Sequence, residues 1–153
     1  MAYLLALLIG IIAGLRTMTA PAAIAWGAYL GWLPLAESWA GFMGHWVAVL
    51  ILTVLALGEL VADQLPSTPS RKVPQQFGAR IVSGAFSGAV MGTLGGSLLI
   101  GLVAGAVGAI IGTYGGAAAR ASLAAAFGRD LPAALIEDAV AIAGALIIVA
   151  ALA

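Results

Sequence analysis

The chain has 153 residues, of which 63% are hydrophobic and 8% are charged, with six basic and six acidic side chains. A soluble domain carries roughly 25% charged residues, so this composition excludes an ordinary soluble enzyme, a nucleic-acid-binding protein and a disordered chain. With no cysteine and one histidine, disulfides, thiolate sites and zinc sites with several imidazoles are excluded as well. We therefore predict an all-α integral membrane protein, folded as one domain over residues 1–153.

The first predicted element is an apolar run over residues 3–32, which Arg16 and Pro21 interrupt. As one straight helix it would be about 45 Å long, whereas the hydrocarbon core of a bilayer is ~30 Å thick. We expect one long span that is tilted, kinked at Pro21, or broken near Arg16. The alternative is two half-membrane pieces, which would move the N-terminus to the other side.

Four further spans are predicted after a loop at residues 33–44. They cover residues 45–64, 79–95, 98–120 and 131–153, with turns at Gly95-Gly96 and Gly128-Arg129-Asp130. The polar, proline-rich linker at residues 66–77 carries Arg71 and Lys72, and basic loops face the cytoplasm. We expect a multi-pass protein of five spans, with the N-terminus and the linker cytoplasmic. Aromatic residues around the first loop are typical of the opposite membrane interface.

Two series of glycines predict tight helix packing. Their spacing of three or four residues places each series along one helical face, and small residues let membrane helices approach closely. We expect these faces to form contacts within the chain or in a homo-oligomer; a pore-lining face is the alternative. The series are Gly84, Gly88 and Gly92, followed by Gly101, Gly105, Gly108, Gly112 and Gly115.

Polar residues inside the predicted spans are the candidate site residues. A charge at mid-bilayer costs at least ~2.5–3.5 kcal/mol and normally faces a partner or water. We expect the carboxylates to form a cation or proton-relay site that Arg80 partly neutralises. Arg16 would bind an anionic group, a carboxylate of another helix or backbone carbonyls. The candidates are Arg16, Thr19, Glu59, Asp63, Arg80, Glu137 and Asp138.

The same carboxylates are the candidates for a metal site. Carboxylate oxygens suit hard divalent cations, and the candidate ligands would be Glu59, Asp63, Glu137 and Asp138. Their spacing matches no recognised ligand motif, so we expect no cofactor.

An internal duplication is a further hypothesis. Residues 14–19 and 78–83 share the pattern Gly-x-Arg-x-x-Ser/Thr around Arg16 and Arg80. Transporters often contain such repeats, and the two halves here would be residues 1–65 and 78–153.

Five motifs carry a resemblance that covers nearly the whole chain. They are Gly14-Leu15-Arg16-Thr17-Met18-Thr19-Ala20-Pro21, Leu57-Gly58-Glu59-Leu60-Val61-Ala62-Asp63, Thr68-Pro69-Ser70-Arg71, Phe77-Gly78-Ala79-Arg80 and Ile136-Glu137-Asp138. Together they resemble a family of small bacterial membrane proteins, domain of unknown function 4126. The resemblance implies a location in the bacterial inner membrane and supplies no activity, substrate or cofactor.

These patterns lead to two functional hypotheses. The first is a small transporter or channel for an ion or small polar solute, with membrane lipids as its other partners. In the alternative, a structural or lipid-interacting scaffold, the buried charges only fix helix packing. We expect no enzyme, because no Ser-His-Asp, Cys-His or histidine-metal set exists in the sequence.

Overall fold

The computed structural model describes residues 1–65, 67 and 69–153. Pro66 and Thr68, which belong to the predicted linker, lie outside the described residues, and so does part of the motif that begins at Thr68. Within the described part the chain is all-α, without a strand. The helices are α1 (Ala2–Leu15), α2 (Thr19–Tyr29), α3 (Trp46–Ala62), α4 (Pro74–Leu94), α5 (Leu98–Phe127) and α6 (Asp130–Ala150), with a 3-10 turn at Gly41–Gly44.

Most helix ends follow local signals in the sequence. The Gly95-Gly96 turn is confirmed, with Gly96 at a φ of 89°. Helix α4 begins at Pro74, earlier than predicted, because proline suits the first turn of a helix. Helix α5 continues past Arg120 to Phe127 and stops at Gly128, which has a φ of 73°. A left-handed glycine of this kind ends many helices.

The first apolar run is broken into two helices. Arg16 ends α1 in an extended conformation, with φ −140° and ψ 115°. Helix α2 starts at Thr19, so Pro21 lies in its first turn, where a missing backbone N–H costs little. The break therefore lies at residues 16–18, and Pro21 is not itself a kink.

The two helices run in opposite directions. Tyr3 Oη donates to Gly95 O (2.7 Å), and Arg80 Nη1 donates to Gly14 O (2.9 Å), so α1 is antiparallel to α4. Helix α2 is antiparallel to α3, because its first turn contacts Glu59 and Trp26 Nε1 donates to Thr53 Oγ1 (3.0 Å). Helices α1 and α2 form a hairpin.

The hairpin fixes the two ends of the bundle. We call the end that carries residues 69–73 the linker end, and the end that carries residues 30–45 the loop end. The N-terminus lies beside Gly95 at the loop end, where Trp39 Nε1 also donates to Thr93 Oγ1 (2.9 Å). The N-terminus and residues 69–73 thus lie at opposite ends of the bundle. The membrane side of each end stays a prediction, and so does the choice between one long span and two half-membrane pieces.

Glycines hold α1, α4 and α5 close together. An added Cβ at Gly88 would collide with the backbone of Gly101 and Gly105, and one at Gly108 or Gly112 would collide with the backbone of α1. Six further predicted positions behave as Gly88 does, because an added Cβ there would collide with the backbone of a neighbouring helix, and at Gly84 also with the side chain of Ala109. They are Gly84, Gly92, Gly101, Gly105, Gly108 and Gly112. Gly115 differs, because its added Cβ would meet nothing within 4 Å.

Large apolar side chains cover the outside of the bundle, while many buried side chains are alanines. Leu99 on α5 is 71% exposed and Ile147 on α6 is 70% exposed. Two helices of the described chain, α5 and α6, are long and apolar enough to cross a membrane. Helices α1 and α3 are apolar but shorter. The count of five spans stays a prediction.

Candidate functional site

Charged side chains from five segments meet near the linker end. The segments are the end of α1, the end of α3, residues 69–73, the second half of α5 and the first half of α6. We call this group the charged cluster; its members are Arg16, Asp63, Arg71, Arg120, Asp130, Glu137 and Asp138.

Arg16 lies at the centre of the charged cluster and has no exposed surface. Its Nε donates to Asp138 Oδ1 (2.6 Å), and its Nη1 is 2.8 Å from Asp63 Oδ2. Its Nη2 also pairs with Asp138 and lies 3.5 Å from Glu137 Oε2. Of the partners predicted for Arg16, the structure provides two: carboxylates on other helices, which a planar guanidinium can bind together, and the backbone carbonyl of Leu15, to which Nη1 donates (3.3 Å).

Arg71 and Arg120 complete the cluster. Arg71 Nη1 and Nη2 donate to the two oxygens of Glu137 (2.5 and 2.9 Å), and this pair is buried. Arg120 Nη1 is 2.5 Å from Asp63 Oδ2, and its Nε and Nη2 bind both oxygens of Asp130 (2.9 and 2.6 Å). The bidentate geometry makes the buried Arg71–Glu137 pair the strong form of an ion pair.

Three members of the charged cluster are not among the predicted site residues: Arg71, Arg120 and Asp130. Asp130 was predicted only as part of a short turn. Arg71 was predicted in a solvated linker and Arg120 at the end of a span, both ordinary positions for a charge. The excess of acids over bases in the predicted spans indicates that further basic residues join the site. Four carboxylates there need more basic partners than Arg16 and Arg80 supply.

Glu59 and Arg80 act at the helix break instead of in the charged cluster. Glu59 Oε1 and Oε2 accept from the backbone N–H groups of Thr17 and Met18, both at 2.7 Å. A carboxylate there complements the positive N-terminal end of α2. Arg80 Nη1 donates to the carbonyls of Gly14 and Leu15 (2.9 and 2.8 Å), at the negative end of α1.

The direct contacts of Arg80 and Glu59 differ from those expected of them, and the roles predicted for both in a cation site stay predictions. Arg80 was predicted to neutralise the carboxylates, but among the described residues its hydrogen bonds go to backbone carbonyls. Glu59 was predicted to share a cation site with Asp63, yet both its oxygens bind backbone amides. No group of three or more acidic or histidine side chains in the described chain is arranged to hold a metal ion, so the candidate ligand set is not assembled.

Thr19 is the first residue of α2, directly after the break, and is buried. Its Oγ1 has no hydrogen-bond partner among the described residues. The neighbouring Ser83 Oγ donates to Thr17 O (2.5 Å) and adds another tie to the break. Thr19 therefore does not join the charged cluster, and it lines an apolar cleft between α2, α3 and α6.

The charged cluster faces an open polar pocket of about 410 Å³ at the linker end. Asp63, Arg71, Arg120 and Asp130 line it. A second pocket of about 270 Å³ shares Asp63 and Asp130 and lies between the ends of α3 and α6. The pockets therefore present guanidinium and carboxylate groups side by side, and Asp63, which lines both pockets, contacts the fully buried Arg16.

No protein-family model, no curated protein and no solved structure matches this chain. The resemblance to domain of unknown function 4126 therefore stays a prediction.

Proposed function

We propose that this chain is a small integral membrane protein that binds and moves an ion or a small polar solute at the charged cluster. The observation that carries the proposal is the position of Arg16. It is fully buried in a break between two antiparallel helices, and its carboxylate partner Asp63 lines an open polar pocket. Broken helices and buried ionisable groups mark the substrate sites of many transporters.

The membrane setting is supported by the surface of the bundle. Soluble monomers rarely expose apolar patches beyond a few hundred Å², whereas α3, α5 and α6 all present large apolar side chains outward. We place α3 to α6 across the bilayer and the α1–α2 hairpin inside it, entering and leaving on one side. Non-helical backbone is tolerated at membrane depth only where protein buries it. At the break, the N–H group of Thr17 donates to Glu59 and the carbonyl of Gly14 accepts from Arg80, so these backbone groups have partners within the protein.

The charges favour one orientation in the membrane. Arg71, Lys72 and Arg129 belong to the linker end, whereas Glu37 belongs to the loop end. The positive-inside rule then puts the linker end in the cytoplasm. Both termini would lie on the opposite side of a bacterial inner membrane, the location that the resemblance implies.

Solute binding at this site would proceed by exchange of ion-pair partners. An incoming carboxylate or phosphate can replace Asp63 on Arg120 or Arg16, and an incoming ammonium can replace a guanidinium on Asp130. Such exchange is inexpensive at Asp130, whose side chain is 60% exposed, and costly at Arg16, which is buried. We therefore place the entry at Asp130 and the selective contact at Arg16.

A scaffold without transport is the second candidate. The observation in its favour is that every member of the charged cluster has an oppositely charged partner within 3.5 Å. Charges that are fully paired can serve to fix helix register alone.

The test is thermal stability of the detergent-purified protein against a panel of simple salts, phosphate, amino acids and polyamines. A solute that binds the folded state raises the Tm by mass action. We expect one solute class to raise the Tm of wild type and of the control variant Glu37→Gln, which is exposed at the loop end, and to raise that of Asp130→Asn less. A panel without any response, together with liposome flux no higher than in empty vesicles, would favour the scaffold.

A further inference from the structure

A cleft separates α3 from α6. In the described part of the chain, α3 packs against α2 and the 3-10 turn, and α6 packs against α1, α2 and α5. The cleft consists of two open pockets, one after the other along the helices, which share no residue. Leu57 and Leu60 of α3 and Ile142 and Leu146 of α6 line the first, at helical spacing. Gln64, just beyond the end of α3, and Ala134 of α6 line the second.

Toward the loop end the cleft is apolar, with a volume of about 210 Å³. Its floor is formed by Ala22 and Ala23 of α2, and its rims are Leu57 and Leu146, which are 58% and 46% exposed. The hydroxyl of Thr19 faces no partner there among the described residues. An open volume with aliphatic walls accepts a hydrocarbon chain and does not hold water well.

Toward the linker end the cleft becomes polar. Asp63, Gln64 and Asp130 line the pocket of about 270 Å³ there, which we call the mouth of the cleft. Gln64 Nε2 donates to Asp138 Oδ2 (3.3 Å), and this bond crosses from the end of α3 to α6 between the polar and the apolar pocket. The charged cluster, of which Asp63 and Asp130 line the mouth, contains four carboxylates and three arginines, so its formal charge is −1. A positively charged group complements the mouth.

We propose that this cleft binds one amine-bearing phospholipid of the phosphatidylethanolamine type. One acyl chain lies between α3 and α6, and the ammonium group lies in the mouth beside Asp130 and Asp63. A primary ammonium donates charge-assisted hydrogen bonds to carboxylate oxygens. A choline headgroup has no N–H to donate, and a glycerol headgroup leaves the lipid with a net negative charge.

This site goes beyond the proposed solute function. It requires the bilayer setting that the proposed function assumes, but it does not require transport. The two ideas fail separately, because the solute panel measures a change in Tm and the lipid site is read by mass.

The experiment is native mass spectrometry of the detergent-purified protein. Equal amounts of phosphatidylethanolamine, phosphatidylcholine and phosphatidylglycerol with the same acyl chains are added together. We expect one phosphatidylethanolamine to remain bound in preference to the other two by roughly tenfold. Equal retention of the three lipids, or a preference for phosphatidylglycerol, would overturn the proposal.

Two variants locate the site. Ala56→Leu fills the apolar part of the cleft and should remove the retained lipid, whereas Ala143→Leu, at an exposed position of α6, should leave it. Asp130→Asn should lower the preference for the amine headgroup while keeping the lipid count. Ala56→Leu that retains lipid as strongly as Ala143→Leu would contradict the site. If Ala56→Leu does not fold, the headgroup preference of wild type decides the question alone.

Discussion

Arg16 is the largest side chain that the described protein buries completely. Desolvating a guanidinium is costly unless its donors are satisfied and its charge is matched. Carboxylates at the end of α3 and in α6 match the charge and pair with Nη1 and Nε, at 2.8 Å for Asp63 and 2.6 Å for Asp138. Nη2 lies within ion-pair distance of Asp138 and Glu137 but has no hydrogen bond among the described residues. Asp63 and Asp138 are also buried at a low dielectric constant, and the charge of Arg16 balances theirs. The burial of the arginine and the burial of the two acids therefore depend on each other.

Replacement of Arg16 should be severely destabilising. Arg16→Ala leaves buried carboxylates short of a counter-charge, and breaking a buried pair costs about 3–5 kcal/mol. Arg16→Lys should recover part of this loss, because an ammonium restores the charge but cannot span Asp63 and Asp138 with a planar fork. Unfolding of the detergent-purified variants measures the difference, with Lys72→Ala, whose charge is exposed, as the control. An Arg16→Ala protein as stable as Lys72→Ala would mean that the cluster does not hold the fold.

The sequence predicts four of the seven members of the charged cluster, because those four stand out from their local surroundings. Asp63, Glu137 and Asp138 are conspicuous because each interrupts or ends an apolar helix. Arg71 lies in a polar linker, where a basic residue looks ordinary. Its burial depends on Glu137, which is 66 residues away in the chain, and no local pattern encodes that contact.

At the scale of elements, the α1–α2 hairpin is a product of distant contacts. Composition predicts a disturbance between Arg16 and Pro21, but the reversal of direction depends on partners far along the chain. Glu59 is 42 residues from Thr17, and Arg80 is 66 residues from Gly14. Each binds the helix end whose dipole has the opposite sign to its own charge. The sequence therefore predicts that the run is interrupted and leaves the direction open.

The glycine faces give a test of helix packing. An added Cβ at Gly105 would collide with the backbone of Gly84 and Gly88, so Gly105→Ala must push α5 away from α4 and should cost at least about 1–3 kcal/mol. Gly115→Ala meets open space and should be neutral or stabilising by up to about 1 kcal/mol, the gain in helix propensity. Thermal unfolding of the two variants under the same conditions provides the comparison. Equal stability would exclude close α4–α5 packing.

The two halves of the molecule run in opposite directions. Helices α1, α2 and α3 point toward, away from and toward the linker end, and α4, α5 and α6 do the reverse. This is the arrangement of an inverted repeat, yet the matching arginines differ in role. Arg16 lies in the break and binds carboxylates, whereas Arg80 lies inside α4 and binds carbonyls. The duplication stays a prediction, since opposite directions arise in any six antiparallel helices.

At the scale of the whole molecule, the predicted topologies differ in the side of the bilayer on which the N-terminus lies. A five-span chain that begins in the cytoplasm puts the N-terminus with the linker. The hairpin puts it at the opposite end, because Tyr3 contacts Gly95 while α4 separates Gly95 from the linker. Both termini then lie at one end of the bundle, and the Gly128 turn lies at the other end with residues 69–73.

Because the protein has no cysteine, single cysteines can report this topology without background. Ala2→Cys and Ala153→Cys should react with a membrane-impermeant maleimide from one side of intact cells. Lys72→Cys and Arg129→Cys should react only after the membrane is opened, since basic loops face the cytoplasm. Ser38→Cys at the loop end is the control for the outer side. If Ala2→Cys reacts together with Lys72→Cys, the first apolar run crosses the bilayer once, and the hairpin of α1 and α2 is not the arrangement in the membrane.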